Sequence, residues 1–463
     1  MHFYTKTVRC RLLRLGFADE ASRFLKCPMM PMLCAEFKMQ LTYKIFKPMR
    51  RYIFIVGLAV SLGLAENAKA DVAGVDDELV HAIQLAVETH PSIAAAKASA
   101  QAAGSDVRSA KWLRFPSVSV EGTLLDTSTT APKAQLVVDQ PLWTGGRVSG
   151  TIQRVTAQRG AAAAVYDEAV LSIASGTAQA FYEVHRWRGR ADILDKSLVE
   201  HSRLVDTMQR RYTQEISPLS DLELARSRAL QVQMQIFVAR AQEASSLSRL
   251  REFVSDPLFT TGNLAAPSPE TSWPAFADAA MISQAISFSP LLKKLDFERQ
   301  ASSAQVRVAR ASILPQLSSQ YSYSENFGHR VGLVLKAQTD GGLSRFASAD
   351  AAKQRAQASE LQSAAGERQV RDQIFALLRE YESATSRLGG SKAASLASER
   401  VMESYMRQFT SGRRTWIDVM NAVREASAAE IDSLEAQIAS QSGLVRVMLF
   451  TGIWAPVAAE GSE

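Results

Sequence analysis

Landmarks from the first half of this chain return in its second half, in the same order and at nearly constant spacing. His90-Pro91-Ser92-Ile93 is answered by Ser289-Pro290-Leu291-Leu292, and Phe115-Pro116 by Leu314-Pro315, each 199 residues later. Gly145-Gly146 returns as Gly341-Gly342 after 196 residues, and Tyr212 and Asp221 return as Phe409 and Asp418 after 197. Chance matches would scatter; these keep register within three residues, which marks an internal repeat. Residues 71–257 and 279–454 are therefore expected to be two tandem structural units. A Pro/Gly/Ser-rich linker, 258–278, joins them, and 455–463 is a tail.

Each unit has the same predicted order: helix, two strands, very long helix, turn, long helix. Ala82 to Arg114 reads as helix with a start or kink at Pro91, and Pro116 stops it. Alternation follows. Val118, Val120 and Leu124 fall on one strand face, with Ser117, Ser119, Glu121 and Thr123 on the other. Ala134, Leu136 and Val138 oppose Gln135 and Asp139, with Val137 as an exception. In the second unit Leu317, Tyr321 and Tyr323 oppose Gln316, Ser318, Gln320 and Ser322; Val331, Leu333, Leu335 and Ala337 oppose Lys336 and Gln338.

Four runs of about ten residues match tilted strands that cross an outer membrane with one lipid face and one wet face. A soluble sheet with one buried face shares that pattern. Four strands in an otherwise helical chain make a poor sandwich, however, and cannot close a barrel that holds a pore. Three copies would supply twelve strands and leave no edge unpaired.

No proline interrupts Val148 to about Arg211. A helix of roughly 60 residues extends about 90 Å at 1.5 Å per residue. Leu222, Ala225, Ala229, Val232, Ile236 and Ala239 step by 3 and 4 alternately, as do Ile431, Leu434, Ile438, Gln441, Val445 and Met448. That 3.5-residue period is a coiled-coil seam, and its many small residues allow close approach.

Composition removes several function classes. The formal charge is +6, but residues 1–70 hold 12 of the 53 Lys/Arg and only 4 of the 47 Asp/Glu. From Asp71 onward 41 basic residues face 43 acidic ones, so no nucleic-acid partner is expected. Residues 1–70 read as an N-terminal extension and a signal peptide. Met49-Arg50-Arg51 precedes an apolar region at about 52–65, and Ala68-Lys69-Ala70 sets cleavage after Ala70. Residues 1–48 read as an upstream extension from a misplaced start codon or as part of an unusually long signal segment. Cys10, Cys27 and Cys34 all lie there, so the mature chain is expected to have no disulfide, cysteine nucleophile or lipid-bearing cysteine.

Gln140-Pro141-Leu142-Trp143-Thr144-Gly145-Gly146-Arg147 resembles the strand-to-helix motif of the TolC family of outer-membrane export proteins: an apolar-aromatic pair, then Gly-Gly-Arg. Trp143, Gly145, Gly146 and Arg147 would form that turn, where a sharp reversal needs φ > 0. Phe409-Thr410-Ser411-Gly412-Arg413-Arg414-Thr415-Trp416-Ile417-Asp418 resembles the family's periplasmic helix tip. The resemblance covers nearly the whole mature chain. It implies a mainly α fold with a small transmembrane β part: a trimeric 12-stranded β-barrel, four strands per protomer, on a long α-helical coiled-coil tunnel.

The same resemblance places Phe409, Arg414, Asp418, Asn421 and Asp221 at the constricted tunnel entrance, and Tyr212, Ser217, Gly412 and Thr415 at tips that dock an adaptor. Asn421 stands where the best-known members hold a second Asp, and Glu215 replaces the glycine of the first turn. Three copies of Asp418 near one axis would favour cations. Helix capping is the competing role for each of these polar residues.

The implied partners are two further copies of the chain, a periplasmic adaptor of the membrane-fusion kind, an inner-membrane ABC or proton-driven transporter, and outer-membrane lipid. The implied cargo is a protein secreted in one step or a small toxic molecule, and the missing lipid-anchor cysteine tilts toward protein. The six histidines show no zinc spacing, and no Walker loop or nucleophile elbow stands out, so neither enzyme activity nor a cofactor is expected. The alternative is a periplasmic coiled-coil scaffold without a pore, which has no need of four amphipathic strands.

Overall fold

Pro91 ends one helix and begins another. His90, in extended conformation, closes α1 (Asp77–Thr89) and caps α2 (Pro91–Trp112), its ring nitrogen accepting from Ser92 N–H. Proline suits this first helical position, where its missing N–H has no partner to lose. In the computed structural model the described residues are 75–123, 133–262, 277–324, 327–337 and 342–456. The expected signal segment, Leu124, Gln338, Asp340-Gly341, most of the linker (263–276) and the end of the tail (457–463) lie outside them.

The remaining order is β1 (Ser117–Thr123), β2 (Lys133–Trp143), α3 (Arg147–Thr213), α4 (Leu219–Val254), α5 (Asp278–Phe288), α6 (Pro290–Ala311), β3 (Gln316–Ser324), β4 (Gly328–Lys336), α7 (Ser344–Thr410) and α8 (Trp416–Thr451). The longer helices repeat in length: α2 and α6 each have 22 residues, α3 and α7 each 67, α4 and α8 each 36, while α1 has 13 and α5 has 11. A 67-residue helix runs about 100 Å.

The four strands form one antiparallel sheet in the order β1-β2-β3-β4. They have 7, 11, 9 and 9 residues, so β2, β3 and β4 have the expected length of about ten and β1 is shorter among the described residues. Pairing of Val118 with Val138, Val138 with Tyr321, and Tyr321 with Val331 gathers the apolar residues on one face, as the alternation predicts. That face is bare: Val120, Val331 and Leu333 are 74%, 78% and 70% exposed. The other face carries Asp139, which accepts from Ser318 Oγ at 3.2 Å and sits 3.6 Å from Lys336 Nζ. Among the described residues, strands β1 and β4 are the edges of the sheet, each with one neighbour.

The principal core lies where α1, the end of α4 and the end of α8 meet α3 and α7. Leu79, Ile83, Phe181, Leu250, Ile374 and Leu449 are buried together there. The seam positions Leu222, Ala225, Ile236, Ala239, Ile438, Val445 and Met448 are buried as their spacing predicts. The start of the linker is pinned to this core. Arg188 pairs with Glu243 at 2.8 Å and donates to the Thr261 and Gly262 carbonyls, while Gly262 N–H donates to Glu78.

Candidate gate at the helix turns

Both long hairpins reverse through the same backbone device. In the α7–α8 turn Gly412 N–H donates to the Phe409 carbonyl and Arg413 N–H to that of Gln408, both at 2.9 Å. In the α3–α4 turn Glu215 N–H donates to Tyr212 and Ile216 N–H to Arg211, also at 2.9 Å. This is a Schellman closure, which places the residue after the helix in the left-handed region. Gly412 has φ 74° and Glu215 φ 58°. The replacement of glycine by Glu215 therefore leaves the turn intact.

A shared apolar cluster ties the two turns together. Leu204, Met208 and Leu222 of the first hairpin bury against Trp416, Val419 and Val423 of the second. Trp416 opens α8 and inserts its ring into the cluster. Burying a side chain of this size stabilises by about 2–3 kcal/mol. Arg211 of the first hairpin lies over the Phe409 ring of the second, 5.8 Å from its centroid, and donates to Ser217 Oγ at 3.1 Å. Arg414 sits over Tyr405 at 4.3 Å and donates to Gln408.

The two acidic candidates differ in their surroundings. Asp418 is the third residue of α8 and completes a capping box: its carboxylate accepts from Thr415 Oγ1 at 2.8 Å and from Thr415 N–H, and Thr415 Oγ1 accepts from Asp418 N–H. Arg414 Nη1 is 3.9 Å from the same carboxylate. Asp221 is the third residue of α4, but Pro218 replaces the capping threonine and offers no hydroxyl. Asp221 N–H donates to the Pro218 carbonyl at 3.2 Å, but its carboxylate has no hydrogen bond or ion pair among the described residues. The geometry thus assigns Asp418 the capping role and leaves Asp221 with an uncommitted carboxylate.

Among the remaining candidates, Phe409, Arg414, Thr415 and Asp418 come together around the second turn. Asn421 is exposed on α8 one turn beyond Asp418, Tyr212 is 39% exposed, and Gly412 has open space on its Cβ side. Arg211, Tyr405 and Gln408 join the site without having been singled out from the sequence. Arg211 and Gln408 are repeat counterparts, which was the available signal.

At the opposite end of α3 the Trp143–Arg147 turn has the expected form. Gly145 and Gly146 have φ 61° and 90°, and a Cβ on Gly145 would lie 2.9 Å from Leu314 Cδ1. Arg147 donates to Gln316 at 3.0 Å, clasping helix to strand β3. Of the weaker second copy, Gly342 is described, with φ 71°.

Two further properties bear on function. No group of His, Cys, Asp and Glu among the described residues is arranged to hold a metal ion. No helix among them is long and apolar enough to cross a membrane.

Residues 82–254 match the family model described as outer membrane efflux protein. No curated protein matches the chain. Among solved structures, the fold is similar to CusC (TM-score 0.72, 15% identity, 84% of this chain and 95% of that one). It is similar to the outer-membrane channel OprN (0.73, 17%, 81% and 90%). It also resembles the outer membrane protein VceC of Vibrio cholerae (0.69, 16%, 81% and 96%).

Proposed function

We propose that this chain, which carries an outer membrane efflux protein domain over residues 82–254 and has the fold of outer-membrane channels, is one protomer of a trimeric export duct. The observation that carries this reading is the sheet: one face apolar and bare, both edges unpaired among the described residues. Unpaired strand edges are not tolerated in a bilayer, so a membrane sheet must close. Three copies of four strands close a twelve-stranded barrel whose apolar faces meet lipid and whose Asp139–Lys336 side lines the lumen.

The duct is a passive conduit. An adaptor of the membrane-fusion kind contacts the tips at Tyr212, Ser217, Gly412 and Thr415, and an inner-membrane transporter supplies the energy. Opening requires the two hairpins of a protomer to separate or slide. The groups that would resist this are Trp416 in the shared cluster and Arg211 over Phe409. Asp221 and Asp418 place two carboxylates per protomer near the entrance, with Arg414 partly offsetting Asp418. The cargo is a secreted protein or a small molecule. A single polar lumen of this kind serves either.

The test is a charge on each face of the sheet. Leu333→Arg on the apolar face should abolish recovery in the outer membrane, since a charge at the mid-bilayer of such a barrel costs about 2–4 kcal/mol. Ser322→Arg on the opposite face should insert and alter conductance. Equal outer-membrane recovery of both variants would contradict the reading.

A further inference from the structure

Charge in this chain is concentrated beside the ends of the strands. The twelve residues before β1 (105–116), after β2 (144–155) and before β3 (304–315), with the first twelve of α7 (344–355), hold ten basic residues and two acidic ones, Asp106 and Asp350. The rest of the chain from Asp71 onward holds 31 basic residues and 41 acidic ones. The pattern occurs twice. Arg108 and Lys111 on α2 return as Arg307 and Arg310 on α6, each 199 residues later, and all four are exposed. Among the described residues no side-chain hydrogen bond or ion pair engages Lys111, Arg114, Arg307 or Arg310.

Helix energetics account for only part of this excess. A cation in the last turn suits the helix dipole, which covers Lys111 and Arg310. The same dipole disfavours Arg147 and Arg345, the first residue of α3 and the second of α7. Neither of these helices has an acidic residue in its first turn or a side-chain N-cap, whereas α1, α4, α5 and α8 all carry an acidic residue there. The cations are also interleaved with exposed aromatic rings. Trp112 follows Lys111, Phe115 follows Arg114, and the two rings lie 4.9 Å apart. Trp143 is exposed at the end of β2. Aromatic rings and cations at the rim of an apolar surface are the composition of a bilayer interface.

We propose that these residues form a basic collar that binds the phosphodiester headgroups of anionic phospholipid, in the leaflet on the helix side of the sheet. This rests on the duct reading and adds which lipid meets the barrel and through which residues. The occupant is a lipid surface because the collar is continuous with the bare apolar face that starts at Val118, and because its charge complements an anionic headgroup. Arg114 stands three residues before β1, and Lys111 and Arg310 stand six before β1 and β3, about 9 Å along a helix. The headgroup layer is about 5–8 Å deep. A long cationic side chain reaches it from there while its stem lies on the apolar rings. Each such cation favours an anionic surface about fivefold, and salt screens the attraction. Arg307, Lys353 and Arg355 stand further from the strands and add to the field.

Trp112 and Trp143 report the lipid beside them. The purified chain, reconstituted in phosphatidylcholine vesicles, is titrated with brominated phosphatidylglycerol or brominated phosphatidylcholine, whose bromines quench tryptophan on contact. At low ionic strength phosphatidylglycerol should bind with about fivefold higher relative affinity or more, and about 1 M salt should bring the ratio near one. Lys111→Gln/Arg114→Gln/Arg310→Gln should lose most of the preference. Arg114→Gln alone should lower it, should the triple variant not fold, and the salt series on the wild type needs no variant. Equal affinity for the two lipids at low ionic strength would overturn the collar and leave the duct intact. A preference that the triple variant keeps, with altered ion selectivity in planar bilayers, would turn these cations to the lumen and overturn their assignment to lipid. No quenching by either lipid would put both rings outside the bilayer and overturn the collar and the duct together.

Discussion

Glu215 and Gly412 hold the same left-handed backbone position in the two helix turns, 197 residues apart, although only one of them is glycine. The same exchange recurs at the far ends of the returning helices, where Ser255 (φ 57°) stands opposite Gly452 (φ 74°). A side chain in the left-handed region costs roughly 1–2 kcal/mol. The first unit thus carries strain at two positions that the second unit relieves.

Glu215→Gly is therefore expected to stabilise the first turn, by about 0.5–1 kcal/mol once glycine's extra freedom in the unfolded chain is counted. Gly412→Ala should destabilise the second turn by a similar amount. Hydrogen exchange at the amides of residues 214–217 and 411–414 measures both; equal exchange in all variants would show that the turns are not strained.

Trp416→Ala should destabilise both hairpins together, because its cluster is built from both. Loss of a large core aromatic costs about 3–5 kcal/mol. Limited proteolysis should show cleavage appearing near residues 204–225 as well as 402–423, while the core around Phe181 stays protected. Cleavage confined to the second hairpin would mean that the turns are independent.

Asp418→Ala and Asp221→Ala separate capping from gating. Removing Asp418 should cost about 1 kcal/mol of helix stability and raise single-channel conductance or shift cation selectivity. Asp221→Ala should leave stability unchanged and lower cation selectivity. If Asp418→Ala alters stability alone, its carboxylate is a cap and has no part in the entrance field.

His185 sets a pH dependence. Burial, reinforced by Arg188, pushes its pKa down to about 4, against about 6.5 for a free imidazole. The folded state holds it neutral, whereas the unfolded chain takes up a proton below about pH 6.5. Stability should be fully present above that pH and fall as pH drops toward 4. Denaturant titrations of the wild type and His185→Phe at several pH values check this; the variant should lose part of the decline between pH 6.5 and 4.

Features set by local chemistry were legible in the sequence. Pro91 and Pro290 break helices, Gly145-Gly146 turns a strand into a helix, and alternation at Val118–Val120 and Val331–Leu335 sorts the sheet faces. Each depends on a residue and its immediate neighbours. Contacts across the repeat were harder. Arg211 over Phe409 joins residues almost 200 positions apart, and nothing near either one announces the other. The tie between Asp418 and Thr415 is legible as a Thr-x-x-Asp cap at a helix start.

The central claim is that three copies close one barrel. Its most direct test is the mass of the species extracted unheated, in mild detergent, from purified outer membranes. The account predicts a membrane-bound particle of three chains. A soluble monomer or dimer recovered from the periplasm would contradict it and leave a scaffold of paired helices in its place.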